Sequence, residues 1–335
     1  MKKSKIFLTG GAGYCGSLLV PRLLEKNYKV TVYDTLFFSD NFLPKSNQDL
    51  KVIQGDIRDV NKLEEATKDH DYFISLACIS NDASFELNEN LSTSINMDAF
   101  EPMVKIAKKN KIKRFIYASS SSVYGVSEKK DVKEDHPLVP LTLYNKYKGL
   151  CEPILKKYTD NEFVGVIFRP ATVCGYAPRL RLDLSVNILT NHAITNNIIK
   201  VFGGEQLRPN LHVKDYCRAI ELLLSAPSNK VNNEIFNVGF QNLSILELAQ
   251  IVKQVVEEEF NFKNKIDIVR TSSDDLRSYH INSDKIFNEL GFKPKYSIED
   301  AVRDLCTQYK LGNIKDSMND DIYFNVKRIK NLKVS

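Results

Sequence analysis

Short apolar runs alternate with stretches of helical periodicity through the first half of the chain. Between the runs, apolar residues recur every three to four positions, as along the buried face of a helix, most clearly from Ser17 to Leu24 and from Ser92 to Lys109. Such alternation is typical of an α/β fold with a doubly wound parallel sheet. Its predicted buried strands are residues 5–9, 29–33, 50–54, 71–77, 114–118 and 163–168.

This rhythm changes after residue 174, where the strands become shorter and less regular. We predict a first domain over residues 1–174 and a smaller C-terminal lobe, mostly over residues 175–312. Segments near 208–242 are expected to return to the first domain. Residues 313–335 are polar and basic, and we predict that they form an extra arm on the surface.

A glycine-rich turn joins the first predicted strand to the first helix. Gly10, Gly13 and Gly16 let the backbone turn tightly, approach a pyrophosphate and pack the helix against the sheet. The pyrophosphate would lie at the helix N-terminus, where free N–H groups and the helix dipole favour negative charge. Asp34 ends the second strand, where a carboxylate bonds ribose hydroxyls and repels a 2′-phosphate. Because both strands and the acid accompany the glycines, the pattern indicates a Rossmann domain that binds NAD.

The ends of the third and fourth strands supply further candidates for cofactor binding. Asp56 is placed to bond the exocyclic amine of adenine, and Ile57 to pack on the ring. An equally good interpretation makes Asp56 the N-cap of a helix over residues 58–68. Ala77 and Cys78 are small, so the backbone at the end of the fourth strand can lie close to a cofactor.

A tyrosine and a lysine four residues apart are the leading catalytic candidates. Tyr144 and Lys148 share one face of a predicted helix. The lysine ammonium and a positive nicotinamide ring both stabilise a phenolate, so we expect the pKa of Tyr144 to fall from about 10 toward neutrality. The tyrosine then takes a proton from a sugar hydroxyl as hydride leaves the same carbon. Ser120, at the end of the fifth strand, is placed to bond that oxygen.

Composition disfavours several other classes of protein. The chain has 335 residues, 43% hydrophobic and 27% charged, and no apolar run approaches the ~20 residues of a membrane span. Its net charge of +5 is dispersed, which disfavours nucleic acid as a partner and favours an anionic small ligand. The six cysteines lack metal or disulfide spacing and the N-terminus leads straight into a strand, so we expect free thiols, no bound metal and a cytoplasmic location.

As a set, these motifs resemble those of the extended short-chain dehydrogenase/reductase family, the NAD-dependent nucleotide-sugar epimerases and dehydratases. The resemblance covers about residues 5 to 310. Besides the glycine turn, Asp34 and the Tyr144/Lys148 pair, the matching pieces are Gly55-Asp56-Ile57, the Ser-Ser-x-x-Val-Tyr-Gly stretch at 119–125, Arg169-Pro170-Ala171-Thr172-Val173 and the Arg208 to Asp215 segment.

The resemblance implies roles for the matching residues. Tyr144 is the base and acid, Lys148 is its partner and a ligand of the nicotinamide ribose, and Ser120 is the catalytic hydroxyl. Arg208 pairs with the pyrophosphate of a nucleotide-diphosphate sugar, a bond that suits a planar guanidinium. Other implied cofactor contacts are Tyr14, Cys15, Ala77, Asn96 and Ser119, and other implied substrate contacts are Ser121, Ser122, Thr172 and Asn187.

Three further expectations come from the same resemblance. Arg277 or Arg270 adds a second phosphate contact, on a looser match, whereas His212 and Asp215 are interpreted as structural. A homodimer is the habit of the family, and we expect it to form through the helices near 92–109 and 144–158.

Departures from the family pattern disfavour some of the activities found in the family. The 4,6-dehydratases carry Asp-Glu directly after the catalytic hydroxyl, whereas this chain has Ser121-Ser122, which disfavours dehydration. The fucose-type epimerase-reductases place a cysteine where Ser122 stands and prefer NADP, and neither feature is present. Cys174 replaces a tyrosine that is usual in the family; it either alters the sugar pocket or, as we favour, is small buried filler.

The leading hypothesis is an NAD-dependent nucleotide-sugar epimerase that acts at C4 through a transient 4-keto sugar, with Tyr144 as acid and base. The alternative is a 4-dehydrogenase or ketoreductase of a nucleotide-activated hexose or heptose in surface-polysaccharide assembly. A non-catalytic NAD-binding regulatory protein is a third hypothesis, and the intact Ser120, Tyr144 and Lys148 set argues against it.

Overall fold

The computed structural model describes residues 3–80, 82–127, 131–261, 265–272 and 278–332. The strands of this part of the chain are β1 Lys5–Thr9, β2 Lys29–Asp34, β3 Leu50–Gln54, β4 Tyr72–Ser75, β5 Arg114–Ala118, β6 Val164–Pro170, β7 Thr172–Cys174, β8 Ile198–Phe202, β9 Leu207–His212, β10 Glu234–Val238, β11 Gln241–Ser244 and β12 Asp267–Thr271. Its α-helices are α1 Tyr14–Glu25, α2 Val60–Thr67, α3 Asp82–Phe85, α4 Glu89–Thr93, α5 Phe100–Lys109, α6 Leu143–Tyr158, α7 Ser185–Asn196, α8 Val213–Ser225, α9 Ser228–Val231, α10 Ile245–Phe260, α11 Asp284–Leu290, α12 Ile298–Lys310 and α13 Asn325–Leu332.

Seven parallel strands form the central sheet, in the order β10-β6-β5-β4-β1-β2-β3. The predicted doubly wound Rossmann fold is therefore confirmed. The chain moves outward from β1 through β2 and β3, then returns to the other side of β1 with β4. This reversal opens a crevice at the carboxyl ends of β1 and β4, which is where ligands bind in open α/β sheets.

Both faces of the central sheet are buried, because side chains alternate along each strand. Ile6 and Leu8 of β1 join the hydrophobic core beneath α1 and α8, whereas Phe7 joins the core on the opposite face, against α5 and α6. In that second core the rings of Phe73 and Phe115 stack with centroids 4.6 Å apart. Burial on both sides accounts for the nearly continuous apolar runs in the strands.

The smaller lobe has its own hydrophobic core. Helices α7, α10 and α12 pack around it, together with the parallel pair β8 and β12. A three-stranded sheet of β11, β9 and β7 lies beside it. Two elements, α8 and β10, lie in the stretch that is expected to return to the first domain. Helix α8 packs on α1, and β10 is the edge strand of the central sheet next to β6.

Two helices differ from their predicted form. The single long helix expected from Ser92 to Lys109 is instead α4, a π-helical segment Ser94–Asp98 and α5. The cap of α2 is Asp59, whose side chain accepts a hydrogen bond from the backbone N–H of Lys62, so the N-cap interpretation of Asp56 is wrong.

Residues 313–332 are more than the surface arm that their polar composition predicted. Ile329 of α13 is buried in the core on the α5 and α6 side of the sheet. Arg328 donates from Nε to the carbonyl oxygen of Phe37, over a distance of 2.8 Å. This segment therefore packs back onto the large lobe, close to the end of β2. Across the described ranges, no helix combines the length and apolar character needed to cross a membrane.

A buried ion pair fixes α6 to the central sheet. Glu152 of α6 accepts hydrogen bonds from Nε and Nη2 of Arg169 in β6, at 2.9 and 2.6 Å, and both side chains are 3% exposed. The Glu152 carboxylate also accepts a 2.6 Å hydrogen bond from the hydroxyl of Ser119. The helix that carries Tyr144 and Lys148 is thus held in register with the ends of β5 and β6.

We expect Glu152→Ala to lower the free energy of unfolding by about 3–5 kcal/mol, because it leaves the Arg169 guanidinium buried without its carboxylate. Urea denaturation followed by circular dichroism measures the change. Glu65→Ala is the matched control, because it removes an exposed ion pair with Lys68 and should cost less than about 1 kcal/mol. Equal losses in the two variants would contradict the importance of the buried pair.

Candidate active site

A cavity of about 470 Å³ opens at the carboxyl ends of the central strands and extends toward the smaller lobe. Residues from both lobes line it. Most of the residues predicted from the sequence lie on its wall: Gly10, Gly13, Tyr14, Cys15, Gly16, Asp34, Asp56, Ile57, Ala77, Ser119, Ser120, Ser121, Ser122, Tyr144, Lys148, Thr172 and Arg208. The structure thus brings together residues that are up to 198 positions apart, from Gly10 to Arg208.

The glycine turn leaves no room for side chains. Gly10 has a φ of +75°, and a Cβ atom there would lie 2.6 Å from the backbone nitrogen of Ala77. A Cβ on Gly16 would lie 2.5 Å from the carbonyl oxygen of Gly11. Helix α1 begins directly after Gly13, and no side chain caps its N-terminus. Its first turn lines the cavity, as an anion-binding helix N-terminus requires.

Two carboxylates at the ends of β2 and β3 have different environments. Asp34 accepts hydrogen bonds from the backbone N–H groups of Ala12 at 3.0 Å and Leu36 at 2.9 Å, and burial raises its pKa although these bonds oppose the rise. Burial also acts to raise the pKa of Asp56, but hydrogen bonds and an ion pair with Arg58, 2.7 Å away, lower it overall. Asp34 is thus oriented by the glycine turn, and Asp56 by its neighbouring arginine.

The environment of Tyr144 determines its pKa in the protein without cofactor. Burial raises the pKa of Tyr144 well above its ordinary value, the nearby Cys78 and Asp82 raise it further, and Arg181 opposes the rise. Lys148 donates from Nζ to the carbonyl oxygen of Ala118 at 2.8 Å, on the same wall of the cavity. In the protein without its cofactor, desolvation therefore outweighs the local positive charge. The expected fall of the tyrosine pKa, which includes the effect of a bound nicotinamide, stays a prediction.

A chain of hydrogen-bonded neutral groups runs from Ser120 into α6. The hydroxyl of Ser122 donates to Oδ1 of Asn145, so the 2.7 Å contact between the Ser120 and Ser122 hydroxyls must be donated by Ser120. Within the described residues, the hydroxyl of Ser121 and Nδ2 of Asn145 are buried without a hydrogen-bond partner. Asn145 was not identified from the sequence, because its position beside Tyr144 has no signature of its own.

Two predicted ligand contacts are instead used to hold loops. Asn96 exchanges two hydrogen bonds with the backbone of Ile79, at 2.8 and 2.9 Å. Asn187 is fully buried and bonds the backbone N–H of Gly175 at 2.9 Å and the carbonyl of Arg181 at 2.8 Å. Neither lies on the cavity wall, and their direct contact with cofactor or substrate stays a prediction.

The arginines predicted for the substrate side differ in their placement. Arg208 projects from β9 onto the cavity wall and is largely buried, with Nη1 donating to the carbonyl of Leu207 at 2.9 Å. Arg270 lies away from the cavity, where it bonds Gly203 and Glu205, so it is not a second phosphate contact in this structure. Arg277 lies outside the described residues.

Three other residues keep the structural roles expected of them. His212 caps α8 by accepting from the backbone N–H of Lys214 at 3.0 Å. The buried carboxylate of Asp215 accepts from two backbone N–H groups of the loop before α12, at 2.7 and 2.9 Å. Cys174 is buried in the core of the smaller lobe, as the filler interpretation predicts.

Two buried arginines on the wall were missed by the sequence analysis. Nη2 of Arg179 donates to Asn325 at 2.7 Å and its guanidinium lies 3.6 Å from the ring centroid of Phe38. Arg181 donates to Asp183 at 2.8 Å and to Ser80 at 3.1 Å. Nε of Arg179 and Nη2 of Arg181 have no hydrogen-bond partner in the described part of the chain. Two arginines before a helix usually face solvent, so no pattern in the sequence indicated their burial.

These features fit NAD. The glycine turn and α1 offer a cradle for a diphosphate, and Asp34 lies where an adenosine ribose would follow it. Burial and the neighbouring charge of Arg181 lower the pKa of Arg179 to about 9, although Asp183 and Asp34 oppose the fall. An anionic ligand would supply the missing negative charge.

Comparison with known proteins agrees with this geometry. A putative UDP-glucose 4-epimerase from Methanocaldococcus jannaschii is 28% identical over 318 residues, which cover 92% of this chain and 99% of the relative. A dTDP-glucose 4,6-dehydratase from Actinoplanes sp. is 25% identical over 321 residues, covering 91% and 98%. The structure of UDP-glucose 4-epimerase with UDP-glucose from Thermotoga maritima shares the fold, with a TM-score of 0.81 and 23% identity over 92% of this chain and 99% of that one.

The sequence model of the NAD dependent epimerase/dehydratase family matches residues 6–239, which is more than half of the chain. The chain therefore belongs to this family of extended short-chain dehydrogenase/reductase enzymes, and its cofactor is NAD.

Proposed function

We propose that this enzyme is a nucleotide-sugar epimerase that inverts the configuration at C4 through a transient 4-keto sugar. Membership of the family supplies the NAD-dependent chemistry. Relatives of similar identity include both a putative UDP-glucose 4-epimerase and dTDP-glucose 4,6-dehydratases, so the choice between these activities depends on the residues around the reacting carbon.

The absence of carboxylates at positions 121 and 122 carries the proposal. Both positions are serines on the cavity wall, and Ser122 is hydrogen-bonded to Ser120 and Asn145, which are also neutral. Elimination of water from a sugar needs a group that gives a proton to the departing hydroxyl. A serine hydroxyl is a far weaker acid than a carboxyl group. The serines at these positions therefore favour a reaction in which the sugar keeps all its oxygens.

The cavity offers a group for each proton in the epimerisation. NAD, when bound, supplies the acceptor and donor of hydride. Tyr144 takes the proton from the sugar 4-hydroxyl and later returns it. Ser120 accepts or donates a hydrogen bond at the same oxygen, while Lys148, fixed by Ala118, holds its charge close to the cofactor ribose. Arg208 approaches from the smaller lobe to bind the diphosphate of the nucleotide sugar.

Three details of the proposal rest on the sequence and on family resemblance. The substrate is a nucleotide-diphosphate sugar, and the enzyme acts in the cytoplasm. A homodimer through the helices near 92–109 and 144–158 stays a prediction; these helices, α5 and α6, pack against each other in the structure.

We expect the purified enzyme, incubated with UDP-, dTDP-, GDP- and CDP-sugars and no added cofactor, to convert one of them into its C4 epimer. NMR identifies the product, and ultraviolet absorbance follows the reduced cofactor. A new isomer without lasting reduced cofactor is the expected result, because hydride returns to the sugar. A keto sugar with reduced cofactor accumulating would overturn the proposal in favour of the 4-dehydrogenase, and a 4-keto-6-deoxy sugar would overturn it in favour of dehydration.

We expect Tyr144→Phe to lower kcat by about 10²–10⁴-fold, the usual contribution of a general acid–base group, while NAD stays bound. The cofactor content of the purified variant and its turnover of the identified sugar are measured together. Tyr158→Phe is the matched control at the far end of the same helix, where the hydroxyl bonds Glu101 away from the cavity. Unchanged turnover in Tyr144→Phe would exclude Tyr144 as the acid and base.

The raised pKa of Tyr144 predicts a cofactor-dependent titration. In the cofactor-free protein, burial keeps the phenol protonated to a pH above its ordinary pKa of about 10. The positive charge of a bound nicotinamide favours the phenolate, so loading with NAD should move the titration to lower pH. The difference in tyrosinate absorbance between the wild type and Tyr144→Phe measures it. The same midpoint with and without NAD would contradict this electrostatic account.

A further inference from the structure

Residues 313–332, here called the C-terminal segment, cross from the smaller lobe to the cavity. Near its start, Ser317 exchanges hydrogen bonds with Asn191 of α7, at 2.8 and 3.2 Å. Further on, the carbonyl of Tyr323 accepts from the backbone N–H of Leu182 at 3.0 Å. Asn325 and Ile329 of α13 then reach the cavity wall. This segment lies beyond residue 239, where the match to the family ends.

Asn325 is the centre of the contacts that the segment makes at the cavity. Its Oδ1 accepts from Nη2 of Arg179 at 2.7 Å, and its Nδ2 donates to the hydroxyl of Ser80 at 2.9 Å. Its backbone N–H donates to Oδ2 of Asp183 at 2.9 Å. The other carboxylate oxygen of Asp183 accepts from Arg181, and Ser80 accepts from Arg181 too. Asn325 therefore contacts Arg179 directly, and it contacts Arg181 through Ser80 and Asp183.

Each of these arginines keeps a buried N–H group without a partner among the described residues. Arg179 lies beside α1, since its backbone N–H donates to the hydroxyl of Ser17 at 3.0 Å, and its charge is felt by Asp34. This places it at the diphosphate and adenosine end of the cofactor site. Arg181 lines the same cavity as Tyr144, and its charge opposes the rise of the tyrosine pKa. A diphosphate running from the glycine turn toward Tyr144 would pass both guanidinium groups.

We propose that Asn325 is a positioning residue for the cofactor: it orients Arg179 and Arg181 toward the diphosphate of NAD, and the C-terminal segment thereby slows cofactor release. A neutral amide suits this task because it fixes the Arg179 guanidinium without neutralising it, which leaves that positive charge available to the ligand, whereas Arg181 is already paired with Asp183. A carboxylate in the same place would compete with the diphosphate. The inference rests on NAD as the cofactor and does not depend on epimerisation at C4.

The experiment measures how fast bound NAD leaves the full-length protein, in the absence of any sugar. Protein loaded with radiolabelled NAD is diluted into excess unlabelled NAD, and retained label is followed with time. We expect Asn325→Ala to release NAD about tenfold faster or more, the effect of one lost hydrogen bond to a charged group. The matched control is Asn331→Ala in the same helix, an exposed side chain that bonds Asp321, and we expect it to release NAD at the wild-type rate.

A second variant separates positioning from folding. Asn325→Asp keeps acceptors for Arg179 and for the Ser80 hydroxyl, so a merely structural role would be preserved. Because its charge neutralises Arg179, we expect it to release NAD faster than the wild type while the cofactor-free protein melts at a similar temperature. Wild-type release from both Asn325 variants would overturn the proposal, as would equal acceleration by Asn331→Ala. A sugar panel without turnover would leave this result unchanged, so the two proposals fail separately.

Discussion

The close approach of two backbones at the end of the central sheet is the constraint on which the site depends. The turn after β1 passes so near the end of β4 that a single Cβ atom at Gly10 would clash with the backbone of Ala77. This contact lies where the strand order reverses, so it opens the crevice and keeps α1 pointed into it. Every other part of the site is placed relative to that helix N-terminus: Asp34 bonds the turn, and the loop after β7 bonds Ser17 of α1.

Burial sets the electrostatic state of the cavity before any ligand enters. It disfavours both negative and positive charge: the pKa of Tyr144 is raised, so its phenol stays neutral, and the pKa of Arg179 is lowered. NAD carries the two charges that reverse these shifts, a positive ring and a negative diphosphate. The free protein is therefore poised for its cofactor, and the phenol of Tyr144 loses its proton at a lower pH only where a bound nicotinamide can receive hydride.

Much of the fold could be predicted from the sequence, because its signals are local. The spacing of Gly10, Gly13 and Gly16, the position of Asp34 and the apolar runs each follow from the geometry of one turn or strand. Side chains that serve distant backbone groups could not be found this way. The amides of Asn96 and Asn187 resemble ligand contacts in a motif, yet they hold loops whose position depends on tertiary packing.

The buried contacts of the C-terminal segment could not be predicted for a related reason. Its polar composition is typical of a solvated arm. Asn325 and Ser317 are nevertheless buried, and they form hydrogen bonds with partners far away in the chain. Arg179 and Arg181 escaped notice too, since the sequence does not show which arginines will be buried. Asp56 and Asp59 illustrate the limit at short range: either could cap α2, and only the backbone conformation selects Asp59.

The contact between Ser80 and Asn325 joins residues 245 positions apart, across the wall of the cofactor cavity. The cavity wall includes the turn after β1, loops of both lobes and α13, so a ligand seated there would act as a removable cross-link between distant parts of the chain. By mass action, NAD at a hundred times its dissociation constant would add about 2.7 kcal/mol to the stability of the native state. Because so many segments share the ligand, that gain would couple the unfolding of the two lobes.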